Sequence, residues 1–321
     1  MPEWPNGWVV EEGIGEHRAV LVADGRILAA RLDWPGPLAA GLVEDAVLVS
    51  RAAGSARGMA RFDDGEEALV SGLSREVSEG AVLRLLVTRC ALPERGRVKL
   101  AQARPADEPP RPAPTLAEAL GAGIVRHFEG WDELWADAFS GTCEFSGGRL
   151  DISPTPALTA IDIDGALSPR NLALAAVPAL AQAIRRFDLA GSIVVDFPTL
   201  PAKADRQAVD AVLAEALAWW PHERTAMNGF GLVQLVARLE RPSLLSRLAH
   251  DPAGAAARLL LRRAERVSAP GTLLLTAHPQ VRAAVREEWL RELERRTGRA
   301  VAWQLDDGLA LDGSFAQAVA S

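Results

Sequence analysis

Between Ala103 and Pro114 the chain reads ARPADEPPRPAP, five prolines in twelve residues. Proline fixes φ and has no N–H, so such a stretch is neither helix interior nor central strand. It must be extended, as a linker or a surface crossing. It also divides two unlike patterns. Ahead of it, short apolar alternations (Ala19-Val20-Leu21-Val22, Arg26-Ile27-Leu28, Ala46-Val47-Leu48-Val49) sit between Gly and Asp turns and read as strands. Arg61 to Ala68 is a hairpin with an Asp64-Gly65 turn, and Gly80 to Val87 is a further strand. Closely spaced short strands suggest a small barrel.

Behind the prolines, strands alternate with helices. Ala157–Ile163 and Ser192–Phe197 are β-like. Between them Ser168 caps a helix that opens on Pro169 and runs toward Arg186, with Pro178 expected to kink or split it. Val209, Val212, Leu213, Ala216 and Leu217 recur at helical spacing up to a stop at Pro221. A helix from Ala255 to Val267, a strand Thr272–Leu275, a helix His278–Arg296 stopped by Gly298 and a strand Ala300–Leu305 make a second βαβ unit.

Composition excludes several classes. The 35 basic and 42 acidic residues give −7, which rules out coating a nucleic acid by bulk positive charge but leaves local basic grooves open. Lys99 and Lys203 are the only lysines, and arginine forks suit phosphates and bases. Cys90 and Cys143 have no C-x-x-C partner, so neither a disulfide framework nor a cysteine-rich zinc site fits. The longest uncharged stretch, Val267–Val281, is too short to span a bilayer, and the first residues lack a basic region followed by an apolar core. The expectation is a cytoplasmic protein.

Asp162 and Asp196 carry the strongest chemical argument. Each lies near the end of an apolar strand, and a strand–helix–strand crossover makes those strands parallel neighbours. Their carboxyl ends then share one sheet edge, where open α/β folds carry ligands. Asp164 shares the side-chain face of Asp162. Three carboxylates without a lysine or histidine beside them call for a cation, and Mg²⁺ takes one or two carboxylates plus water and phosphate oxygens. Turn formation or helix capping would account for either aspartate alone. Gly13-x-Gly15 reads as a tight turn rather than a phosphate loop.

Five sequence blocks resemble one family. Leu158-Thr159-Ala160-Ile161-Asp162-Ile163-Asp164, then Asn171-Leu172, then Asp188 to Phe197, then Phe230-Gly231-Leu232-Val233, then Arg241-Pro242-Ser243-Leu244 look like the catalytic core of the ribonuclease E/G family. Glu11 to Glu16 looks like that family's opening hairpin and Gly41 to Arg104 like its inserted OB-fold domain. The resemblance implies an Mg²⁺-dependent endoribonuclease (with Mn²⁺ as a substitute) that cuts single-stranded RNA and leaves a 5′-phosphate and a 3′-hydroxyl. Asp162 and Asp196 would be catalytic, with Asp164 joining them on the metal and Asn171 supporting. Arg57, Arg61, Phe62, Lys99 and Arg241 are the RNA-binding candidates. Arg51, Arg84, Arg89, Arg95 and Arg97 fall in the same barrel-like region, where a groove and a solvated face are equally compatible with the charges. The helix bearing Arg258, Arg262, Arg263 and Arg266 is equally ambiguous.

The implied fold is mixed α/β (α+β). Residues 1–34 would be an N-terminal hairpin of an RNase H-like subdomain, 35–104 an OB-type β-barrel insert and 105–115 the proline-rich linker. Residues 116–150 would complete the RNase H-like part, 151–250 form the metal-carrying catalytic core, and 251–321 a small C-terminal α/β domain. Departures from the family pattern are Asp164 in place of asparagine, Gln234 in place of an acidic residue, and Ala237 and Leu239 in place of arginines. The zinc-link cysteines and the segment that senses the RNA 5′ end are missing, so no zinc is expected and any homodimer would not be zinc-linked. The rival reading is an RNA-binding protein of the same fold with weakened or lost cleavage; the aspartate pair favours the enzyme.

Overall fold

The computed structural model describes residues 6–36, 38–94 and 97–320. Strands β1 (Gly7–Glu12), β2 (His17–Ala23) and β3 (Arg26–Asp33) form an antiparallel meander. The β1–β2 turn closes with Gly13 N donating to the Glu16 carbonyl, as a tight turn requires. Next come β4 (Val43–Arg51), β5 (Arg57–Arg61), β6 (Glu67–Ser71) and β7 (Val82–Arg89), then a small hairpin of β8 (Leu92–Glu94) and β9 (Arg97–Lys99). Strand β10 (Ala101–Pro105) pairs with both β6 and β7 and closes a five-stranded barrel, ordered β10-β6-β5-β4-β7. This corrects the start of the linker. Ala101 and Ala103 point inward and are buried, and Pro105 is the strand's last residue, where a missing N–H is tolerated. The remaining prolines follow as the expected surface crossing, held to the barrel where Arg111 and Val43 exchange backbone hydrogen bonds.

The chain then returns to the first sheet. Helix α1 (Leu116–Leu120) starts with a capping box between Thr115 and Glu118, and β11 (Gly123–Val125) pairs parallel with β1. The N-terminal meander and the segment after the linker therefore share one sheet, with the barrel inserted between them.

After α2 (Trp131–Ser140) comes the central sheet: β12 (Thr142–Phe145), β13 (Gly148–Pro154), β14 (Thr159–Gly165), α3 (Pro169–Arg186), β15 (Gly191–Asp196), α4 (Lys203–Ala216), β16 (Glu223–Arg224) and β17 (Leu232–Ala237). Its order is β12-β13-β14-β15-β17-β16. Leu150, Ile152, Ile161, Ile163, Ile193, Val195, Val233 and Leu235 bury one face in a core shared with Trp131, Trp135, Val177 and Leu180. Helix α3 runs unbroken through Pro178, against the expectation of a split; Ala176, Val177, Leu180, Ala183 and Ile184 are buried around it, which offsets the lost hydrogen bond.

The C-terminal part has α5 (Leu244–His250), α6 (Pro252–Glu265), β18 (Thr272–Ala277), α7 (Pro279–Ala284), α8 (Glu287–Thr297), β19 (Val301–Leu305) and β20 (Phe315–Val319). Strands β18 and β19 are parallel, as the βαβ pattern predicts, and β20 adds an antiparallel edge. The single helix expected over His278–Arg296 is two. Val285 is extended and buried, and the break brings Val281, Val285 and Trp289 into one core. Among the described residues no helix is long and apolar enough to cross a membrane.

A buried ionic cluster ties β1 and β2 to α6. Arg18 binds Glu11 and Glu16, while Arg262 donates to Glu11 at 2.8 Å and to the Phe128 carbonyl at 2.7 Å. Arg258 lies between the rings of Trp34 and Trp289, 4.0 and 4.6 Å from their centroids, and burial pulls its pKa down to about 10. The basic helix is thus a joint between sheet and C-terminal core. Arg258 and Arg262 are not an RNA face.

Candidate metal and RNA-cleavage site

Side chains on a strand alternate between faces, so the apolar residues that build the core leave the intervening residues on the opposite, open face. Strands β14 and β15 are parallel and in register at Asp162 and Asp196. One strand to the other side, Asp151 of β13 registers with Asp162, and Thr142 of β12 with Asp151. A row Thr142–Asp151–Asp162–Asp196 therefore crosses four strands on one face, neighbours about 4.8 Å apart. Asp162 and Asp196 are both exposed.

Two acidic residues beside the pair share one arginine. Asp151 accepts from Arg149 Nε at 2.9 Å and from the Thr142 hydroxyl at 3.1 Å, and Asp164 accepts from Arg149 at 3.3 Å. Among the described residues, neither Asp162 nor Asp196 forms an ion pair; Asp162 Oδ1 accepts from the Ile163 N–H at 3.0 Å. Two adjacent, unpaired carboxylates repel each other, and a hard divalent cation relieves that.

The three-carboxylate set of Asp162, Asp164 and Asp196 is not assembled. Among the described residues no three His, Cys, Asp or Glu side chains are disposed to share a metal ion. Asp164 lies two residues farther along β14, about 7 Å beyond Asp162, and is held by Arg149. Asp151, at the same level as Asp162, was missed in the sequence; its only signal is its position between Leu150 and Ile152 in an alternating strand.

Asn171 lies exposed in the first turn of α3, the helix that follows β14. The RNA-binding candidates are scattered. Phe62 is 3% exposed and packs in the barrel core, so it is no stacking platform; it follows β5 in a tight turn that folds the ring inward. Arg61 pairs with Glu67 at 2.8 Å, Arg84 with Asp45 at 2.6 Å, and Arg51 donates to the carbonyls of Ser55, Ser74 and Val77. Arg57 is exposed on β5. Arg95 and the side chain of Arg97 lie outside the described part. Lys99 lines a cleft with Leu158, Thr159 and Ser192, at the amino ends of β14 and β15. Arg241 donates to Asp188 at 3.0 Å, which also pairs with Arg31 at 3.1 Å. Burial raises the Asp188 carboxyl above its ordinary range against the pull of both arginines. Ser243 caps α5 by accepting from Ser246 N–H, so the Arg241–Leu244 block has a structural role here.

Residues 127–238 match the sequence model of the Ribonuclease E/G family. That segment is similar to the ribonuclease E/G family. The match covers less than half of the chain and spans α2, the whole six-stranded sheet and both aspartates. No curated protein matches the chain.

Proposed function

We propose that this chain is a divalent-metal-dependent endoribonuclease that cleaves single-stranded RNA on the open face of its central sheet. The observation that carries the proposal is the registered pair Asp162–Asp196, which forms no ion pair among the described residues while Asp151 and Asp164 beside it are both held by Arg149. The all-oxygen donor set suits Mg²⁺ or Mn²⁺, which keep several waters, and not zinc, which prefers nitrogen and sulfur. When bound, such an ion polarises a scissile phosphate and makes attack by water easier. The protein's part is to hold the two carboxylates at fixed separation on paired strands, so that little is lost to reorganisation on reaction. Arg149, drawn to Asp151 and Asp164, keeps those carboxylates from competing for the ion.

The open face suits a polymer better than a small molecule. The strand would run over β14 and β15 from the cleft beside Lys99 toward Asp162 and Asp196. The barrel is read as an OB-type insert with Arg57 available for a phosphate, and the N-terminal sheet with α2 as the RNase H-like part. Asn171 would support the substrate. Replacing Asp162 or Asp196 by Asn should reduce cleavage at least about a thousandfold, since either change removes a ligand of a Lewis acid supplying several kcal/mol, while RNA binding persists. Binding with no cleavage by the wild type in Mg²⁺ or Mn²⁺ would instead mark an RNA-binding member that has lost activity.

A further inference from the structure

Phe230 is 79% exposed, more than any other large apolar side chain described. It lies in the turn leading into β17, at the edge where β14 and β15 end. Two residues on, Leu232 registers with Asp196, and Phe197 N–H donates to the Gly231 carbonyl at 3.2 Å. The turn is fixed. Asn228 Oδ1 accepts from the N–H groups of both Phe230 and Leu232, at 2.9 and 3.1 Å. Gly231 has φ +94°, and a Cβ there would stand 2.2 Å from the Phe197 carbonyl oxygen. A loop this constrained that still leaves a phenyl ring in water is not formed to bury that ring.

We propose that Phe230 is the base-stacking platform beside the cleavage site, taking the base of a nucleotide next to the scissile phosphate. The identity of the ligand as RNA rests on the ribonuclease reading; the platform itself rests on exposure, rigidity and position. A planar ring on a preset turn stacks any base without sequence preference and at low ordering cost. With Phe62 buried in the barrel, Phe230 supplies the aromatic surface that the barrel does not. Its neighbours Asp162 and Asp196 carry negative charge, so a bare apolar contact would be a poor phosphate site but a good base site.

The test compares Phe230→Ala, Phe230→Leu and Phe230→Trp with Phe315→Ala, an exposed ring of the C-terminal sheet, as control. A single-stranded oligonucleotide carries one abasic nucleotide, moved stepwise across the cut site. Binding is read by fluorescence anisotropy in Ca²⁺ and cleavage by single-turnover kinetics in Mg²⁺. Loss of one stacked base is expected to weaken binding about 5- to 150-fold, from roughly 1–3 kcal/mol. Phe230→Ala and Phe230→Leu should both show that loss, while Phe230→Trp and Phe315→Ala stay near wild type. At one position only, the abasic substitution should weaken wild-type binding equally and add nothing in Phe230→Ala. Cleavage with no Phe230 dependence at any position overturns the platform and leaves the ribonuclease reading standing. Phe230-dependent binding without cleavage does the reverse. No RNA binding by the wild type, or a Phe230→Ala loss seen only as self-association of the wild-type chain through this ring, overturns the platform as well.

Discussion

Truncating Arg262 to alanine should destabilise this chain strongly. Arg262 is 1% exposed, and its guanidinium reaches Glu11 through two nitrogens, Asp132 through a third contact and the Phe128 carbonyl. Removal leaves Glu11, itself buried, with Arg18 and the Phe128 N–H, and leaves a buried carbonyl without its donor. Breaking one partner of such a buried pair costs about 3–5 kcal/mol, chiefly the penalty on the charge left behind. At this chain length that corresponds to a midpoint lowered on the order of 10 °C. Arg266, one turn on, pairs with the exposed Glu129, and its alanine variant should cost less than about 1 kcal/mol. Lysine at 262 should not rescue, because a single ammonium cannot serve the carboxylate and the carbonyl as a fork does. The assay is guanidinium unfolding followed by tryptophan fluorescence. If Arg262→Ala and Arg266→Ala differ by less than about 1 kcal/mol, the cluster is hydrated and does not seal β1 and β2 against α6.

Three further outcomes follow from single positions. Gly231→Ala should destabilise by at least about 1–2 kcal/mol, because φ +94° is costly for any residue with a Cβ, and it should impair cleavage by shifting the backbone at Phe197; thermal melting and cleavage rates check both. Burial pushes the Cys143 thiol up to about 12, so in the native protein it should stay unmodified by iodoacetamide at about pH 8, where a free thiol of ordinary pKa reacts; mass spectrometry reads the adduct. Burial also raises the Asp188 carboxyl, so the folded chain holds a proton that the unfolded chain releases near pH 4. That contribution is present at low pH and is lost as pH rises through the raised value. Unfolding midpoints measured from about pH 4 upward should show a decline that Asp188→Asn removes.

The parts of this fold that follow local rules were legible in the residues. Apolar runs that end near an aspartate marked β14 and β15, the Asp64-Gly65 turn marked the β5–β6 hairpin, and the crossover rule placed Asp162 beside Asp196. What sequence reasoning missed depends on contacts across the chain. Ala103 to Pro105 look like linker because of the prolines that follow, yet two barrel strands lacked a partner and took them as β10. The arginines of α6 have the spacing of a basic face, but burial against Glu11 and Trp34 is set by residues some 240 positions away. Asp164 has the right side-chain parity for a metal ligand; the cross-strand Arg149 that claims it is invisible to parity. Phe62 and Phe230 show the same limit in opposite senses, since no local pattern says which ring ends in a core and which in water.

The most direct test is single-turnover cleavage of a single-stranded RNA oligonucleotide by the purified chain, in Mg²⁺ and after complete chelation. The account predicts internal cuts leaving 5′-phosphate ends, abolished by EDTA, restored by Mg²⁺ or Mn²⁺, and reduced at least about a thousandfold in Asp196→Asn. Equal cutting in EDTA, or an Asp196→Asn variant that cleaves like the wild type, would contradict it.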